Sequence, residues 1–209
     1  MASGDDNPPG KGPSVTELRR LRPVPAPAPE EPRPQGWDPP EPVGAWREPP
    51  LPTLAILRGR PDARVEALLG QLLRLLADRG ARAVVLWCEL SEGLDPGVAT
   101  VGASSALLPE SLRAVAAEAW RTRVAHVGPG GLPRAAEGLL RDLGEATHLV
   151  VDGRLLGALK AHVAVLVTGD PVGPLLPEAE ARRALCDMEV DEPGEAIALG
   201  LLRALARRA

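Results

Sequence analysis

From residue 53 onward, short continuous apolar runs alternate with longer stretches whose apolar residues recur every three or four positions. The short runs are "TLAIL" (53–57), "AVVLW" (83–87), "RVAHV" (123–127), "HLVV" (148–151) and "HVAVLV" (162–167), with "DMEV" (187–190) a weaker one. They predict strands, and strands that read as unbroken apolar runs belong to a parallel sheet covered by helices on both faces. The intervening stretches predict helices. Residues 62–79 place Val65, Leu68, Leu69, Leu72, Leu75 and Leu76 on one stripe, with Leu73 off it. Pro61 or Asp62 starts that helix and Gly80 stops it. Pro109, Pro133 and Pro177 open further helices over "PESLRAVAAEAWRTR", "PRAAEGLLRDLG" and "PEAEARRAL", and a last one runs from about 194 to 207. Such alternation gives an α/β fold: a three-layer open, mainly parallel sheet of Rossmann-like type.

The first 52 residues follow another rule. They hold 15 of the 24 prolines. "PVPAPAPEEPRPQ" favours extended polyproline conformation and offers little apolar area to offset the entropy of ordering. The expected organisation is therefore a disordered proline-rich arm, 1–52, ahead of an α/β domain, 53–209. Two features in the arm suggest contact with a protein partner. "SVTELRRLRP" has a capping-box pattern, Ser14 with Glu17, that sets Leu18 and Leu21 on one face. "GWDPPEPVGAW" carries Trp37 and Trp46, which either meet a partner or fold back on the domain.

Charge narrows the classes of partner. Twenty-four basic and 28 acidic side chains leave a net charge of −4, which supplies no general field for nucleic acid or an anionic membrane. No apolar run approaches the roughly 20 residues of a membrane span. The opening "MASGDDNPPG" lacks the basic and apolar regions of a secretion signal, so the cytoplasm is the expected location. Cys88 and Cys186 make no disulfide framework and read as buried thiols. The chain has no Phe or Tyr and only two lysines, Lys11 and Lys160, so the core must close through Leu, Val and Ala.

Ligands of open parallel sheets bind outside the carboxyl ends of the strands. Gly59-Arg60-Pro61-Asp62 follows the first strand, Cys88-Glu89 the second, Gly128-Pro129-Gly130-Gly131 the third, and Asp152-Gly153 the "HLVV" strand. The strand–turn–helix at 53–79, "DRGARAVVL" and "ATHLVVDGRL" together resemble the P-loop NTPases. More narrowly they resemble the branch that holds the molybdopterin-guanine dinucleotide biosynthesis adaptor and the GTP-dependent metallochaperones. The resemblance spans roughly residues 53–168. It implies a nucleotide site at the first turn, a magnesium-organising acid at Asp152, and a place in molybdenum-cofactor or metalloenzyme maturation.

The central motif departs from that pattern. In G-x-x-x-x-G-K-[ST] the backbone amides cradle phosphate, Lys reaches the β/γ oxygens and the hydroxyl holds magnesium. With Gly59 as the first glycine, the second falls on Arg64, the lysine on Val65 and the hydroxyl on Glu66. Pro61 also removes an amide. Gly59, Arg60, Arg64 and Asp152 are the candidate ligand-binding residues. No catalytic residue, metal ligand or cofactor is assigned, and nucleotide is not expected to bind tightly. The expected function is a non-catalytic accessory or adaptor protein. The alternatives are an enzyme or small-ligand binder using the carboxyl-edge crevice through Arg60, Cys88, Glu89 and Asp152, and a scaffold without ligand. Cys88 with Glu89 as nucleophile and base lacks a histidine placed beside them. His126, His148 and His162 stand at no metal-ligand spacing.

Overall fold

The computed structural model describes residues 48–91, 94–95, 97, 99–102, 110–141, 143–169 and 173–209. Leu18, Leu21, Trp37 and Trp46 lie outside them. The elements are β1 (Thr53–Arg58), α1 (Val65–Ala77), β2 (Ala83–Leu90), β3 (Ala99–Gly102), α2 (Glu110–Ala116), β4 (Arg121–Val127), α3 (Leu132–Leu140), β5 (His148–Asp152), β6 (Val163–Val167), α4 (Pro177–Arg182), β7 (Met188–Val190) and α5 (Glu195–Arg208), with short 3-10 turns at Gly153–Leu155 and Arg183–Leu185. The seven strands form one sheet in the order β3-β4-β2-β5-β1-β6-β7. Six run parallel, and β3 pairs antiparallel with β4 at one edge.

Alternate residues of the central strands feed two apolar layers. Leu54 and Ile56 of β1, Val85 and Trp87 of β2, and Val163, Val165 and Val167 of β6 pack under α1, α2 and α5. Ala55 and Leu57, Val84 and Leu86, and Ala164 and Leu166 pack under α3 and α4. The chain is thus a three-layer α/β structure, as the unbroken apolar strands imply. β1 lies between β5 and β6, deep in the sheet, so the loops after β1 and β5 sit side by side.

Several boundaries differ from expectation. α1 begins at Val65, three residues beyond Asp62, because Arg60–Ala63 closes a turn in which the Ala63 amide bonds the Arg60 carbonyl at 3.1 Å. Leu73 is 1% exposed, as buried as Leu72, whereas Leu75 is only partly buried. The assignment of Leu73 off the stripe is overturned: α1 packs on the sheet and also against α2 and α5, which widens its buried arc. The helix opened near Pro109 ends at Ala116, and its expected tail turns into β4 from Arg121. The β3 edge strand adds to the expected set, since "ATVG" is four residues with no apolar run. Residues 48–52, placed in the arm by composition, lie along the domain: Pro49 is buried, Leu51 packs on the α3–α4 layer and the Pro52 carbonyl accepts from Leu149 N at 2.9 Å. No described helix is long and apolar enough to cross a membrane.

Candidate functional site

The turn after β1 is built from Arg58 outward. β1 ends with Leu57 facing the α3–α4 layer, which puts Arg58 on the opposite face, beneath the first turn of α1. There its guanidinium donates to the Ala63 carbonyl at 2.7 Å and forms a short ion pair with Glu66. The Pro61 carbonyl stands at 3.5 Å, at the limit of a hydrogen bond. Ser111 of α2 donates its hydroxyl to the same Glu66 oxygen at 3.1 Å. A loop that cradles phosphate must turn amides inward; this loop turns carbonyls toward a cation.

Three of its amides, those of Gly59, Ala63 and Val65, have protein partners. Gly59 N bonds Val167 O at 2.7 Å, continuing the β1–β6 ladder, and Val65 N bonds Ala63 O at 2.9 Å. Pro61 has no amide hydrogen. Gly59 is held tightly: a Cβ there would stand 2.8 Å from the Val167 carbonyl oxygen. Its glycine character serves packing between β1 and β6.

The loop after β5 is organised around Asp152. This carboxylate is 3% exposed. It caps the 3-10 turn by accepting from Arg154 N at 2.9 Å, and Arg154 Nε reaches both its oxygens at 3.1 and 3.0 Å while Nη2 reaches Oδ2 at 2.6 Å. The same Nη2 also donates to the Cys88 carbonyl. Cys88 returns its amide and its thiol to Asp152 Oδ2, each at 3.3 Å. Asp152 therefore joins the ends of β5 and β2. Burial opposes the charge on Arg154, but the Asp152 carboxylate outweighs it and holds the guanidinium pKa above its usual value. Burial, helped by the negative charge of Asp152, pushes the Cys88 thiol well up. The thiol serves as a hydrogen-bond donor to the Asp152 carboxylate. Gly153 allows this turn to form, because a Cβ would lie 2.4 Å from the Leu57 Cβ and 2.5 Å from its Cα.

Between these two loops is a cleft of about 200 Å³. Arg58, Glu66, Trp87, Glu89, Asp152 and Arg154 are among its walls, with Leu57, Leu112 and Leu176 as the apolar part. Trp87 gives its indole N–H to Glu89 Oε1 at 3.1 Å, and Arg154 Nη2 stands 3.9 Å from the same oxygen.

The four candidate residues are only partly brought together. Asp152 lines the cleft. Arg60 turns toward the β6 side, where its guanidinium donates to Gly173 O at 3.0 Å and Thr168 O at 3.2 Å. Arg64 is the exposed N-cap residue of α1. Gly59 is engaged with β6. The charges that face the cleft are Arg58, Glu66, Glu89 and Arg154, together with Glu178 from α4. Arg154 has no signal of its own in the sequence beyond lying two residues after Asp152.

The glycine-rich turn and His162 are bonded within the fold. Gly128–Gly131 is a turn closed by Gly131 N on Gly128 O at 3.0 Å. His162 Nδ1 accepts from Thr53 N at 3.2 Å, and burial lowers the His148 pKa. Among the described residues no three His, Cys, Asp or Glu side chains gather as metal ligands.

No protein-family model matches the chain, and no curated protein matches it either. Among solved structures, the "apo" form of LpxK from Aquifex aeolicus, in complex with ATP, aligns with a TM-score of 0.39 and 13% identity. The alignment covers 66% of this chain and 47% of that one, so this chain spans about half the length of its neighbour. A likeness this loose carries neither fold nor function, and both rest on the geometry above.

Proposed function

We propose that the protein is a non-catalytic accessory protein: a P-loop-like α/β domain without phosphate chemistry, joined to a proline-rich arm that contacts a protein partner. The observation that carries the first half is the inward face of the β1–α1 loop. There the Ala63 carbonyl and the Glu66 carboxylate are both bonded to Arg58. A triphosphate brought to that point would meet the carbonyl and the carboxylate, with its natural counter-charge already engaged. Phosphoryl transfer needs a cation on the β/γ oxygens and a held metal, and charge stabilisation of that kind is the largest part of the rate. Val65 and Glu66 supply neither. The setting, maturation of a molybdenum enzyme or another metalloenzyme, and the role of Leu18, Leu21, Trp37 and Trp46 in meeting a partner, follow from the sequence resemblance and the arm's composition alone.

The test is hydrolysis and binding with ATP and GTP in the presence of magnesium. The expected result is turnover at background and no saturable binding. The triple change Arg64→Gly, Val65→Lys and Glu66→Thr separates missing side chains from a wrong backbone. With the Ala63 carbonyl still turned toward Arg58, it is expected to recover little phosphate affinity.

A second reading, a binder of a small ligand, is favoured by the cleft itself, which combines an indole wall with side chains of both signs. A thermal-shift screen distinguishes the two. A ligand at 100 times its Kd adds about 2.7 kcal/mol to stability, and a cleft binder shows such a shift while an accessory protein shows none.

A further inference from the structure

The amino edge of the sheet carries a surface that the carboxyl-edge cleft does not explain. Trp120 is 42% exposed, and among the described residues it is one of three large apolar side chains so exposed, with Leu90 and Leu185. Two guanidiniums lie over its ring, Arg121 at 4.8 Å and Arg82 at 5.9 Å from the centroid. An exposed indole under two cations is a surface for a rigid, apolar and acidic segment: the indole takes proline rings, and the guanidiniums take carboxylates. Arg82 already meets Glu145, but both partners are largely exposed, with 45% and 75% of the side chain in solvent, so that pair is weak and exchangeable.

We infer that this surface is the docking site of the chain's own segment 23–34, "PVPAPAPEEPRP". The segment has the required chemistry: alternating prolines followed by Glu30 and Glu31. The place where the arm joins the domain makes the contact reachable. Trp120 N bonds Ala83 O, Thr147 N bonds Arg82 O, and Leu149 N bonds Pro52 O, so Trp120 and the root of the arm share the amino edge of the sheet. β1 and β4 are separated by β5 and β2. Three strand spacings of about 4.8 Å put the two points about 14 Å apart along the sheet. Residues 35–47, at about 3.1 Å each in extended polyproline form, reach about 40 Å. Tethering at that length supplies an effective concentration on the order of millimolar, so a contact too weak to hold a free peptide holds this one.

The test uses the full chain with Ala28 replaced by the photoreactive p-benzoylphenylalanine. Irradiation is expected to give a link within one chain, mapped to the tryptic segment 114–121 that carries Trp120. The yield is expected to fall severalfold with Glu30→Lys plus Glu31→Lys, and with Trp120→Ala once its melt is shown to match the parent. Links only between two chains, links elsewhere in the domain, or no link at all overturn the inference. A fluorine label on the tryptophans gives a second reading in the unmodified fold. The Trp120 signal moves with the Glu30 and Glu31 changes and the Trp87 signal does not. An unmoved Trp120 signal contradicts the docking.

Discussion

The loops after β1 and β5 lie side by side at the centre of one sheet edge, yet they are built in opposite ways. The β5 loop concentrates its bonds in a buried carboxylate. Asp152 holds an arginine, an amide and a thiol, and couples β5 to β2. The β1 loop has its charge nearer solvent: Arg58 and Glu66 leave 29% and 23% of their side chains exposed, and the pair closes a turn within the β1–α1 unit. Neighbouring positions in the sheet therefore carry differently anchored charges. In each loop one charged pair, Arg58 with Glu66 and Asp152 with Arg154, is bonded within the protein.

Stability measurements sharpen that contrast. The largest loss is expected for Asp152→Ala, about 3–5 kcal/mol in a denaturant melt, because the buried guanidinium of Arg154 is left without its partner. Next comes the core beneath the loops. Leu73→Ala is expected to cost about 2–5 kcal/mol, equal to Leu72→Ala within error, and the same change at the partly buried Leu75 is expected to cost less. Should Leu75→Ala prove costlier than Leu73→Ala, the wide buried arc of α1 is wrong. Arg58→Ala is expected to change stability by at most about 1 kcal/mol, since the Glu66 pair is partly exposed. A loss as large as that of Asp152→Ala would erase the distinction between the loops.

The smallest effect concerns the thiols. Burial pushes Cys186 up to about 12 and Cys88 well above its ordinary value, so both stay neutral below that range. Native protein at pH 8 is expected to resist an alkylating reagent, with labelling only as fast as the domain opens. Prompt labelling of Cys88 would show that the Asp152 network opens to solvent. Deleting residues 1–47 is expected to leave a cooperative melt near that of the full chain, because residues from Leu51 onward already supply a sheet and two core layers.

The layers of this fold are legible in the sequence because the central strands announce burial on both faces: "TLAIL" and "HVAVLV" contain little that water would accept. Leu73 is misplaced by its spacing because a helical stripe counts one packing surface, and α1 has the sheet, α2 and α5 around it. β3 is silent in the sequence because an edge strand of four residues needs no apolar run. At the site, the poor match of Val65 and Glu66 to a phosphate loop is visible in the sequence. Arg58 is visible too, but only as a charge. That it bonds the Ala63 carbonyl depends on which face of β1 it occupies, and the order of residues does not contain that. Arg154 likewise acquires its role only when the turn at Gly153, packed against Leu57, brings it back over Asp152.

Titration of the full chain with magnesium–ATP and magnesium–GTP by calorimetry, with hydrolysis followed in the same samples, bears most directly on the central claim that the β1–α1 loop does not cradle phosphate. The expected result is no saturable heat at millimolar nucleotide and no turnover above background. Saturable binding that is lost in Arg60→Ala or Arg64→Ala, or turnover abolished by either change, would contradict that claim and would place the nucleotide on the very loop that Arg58 closes.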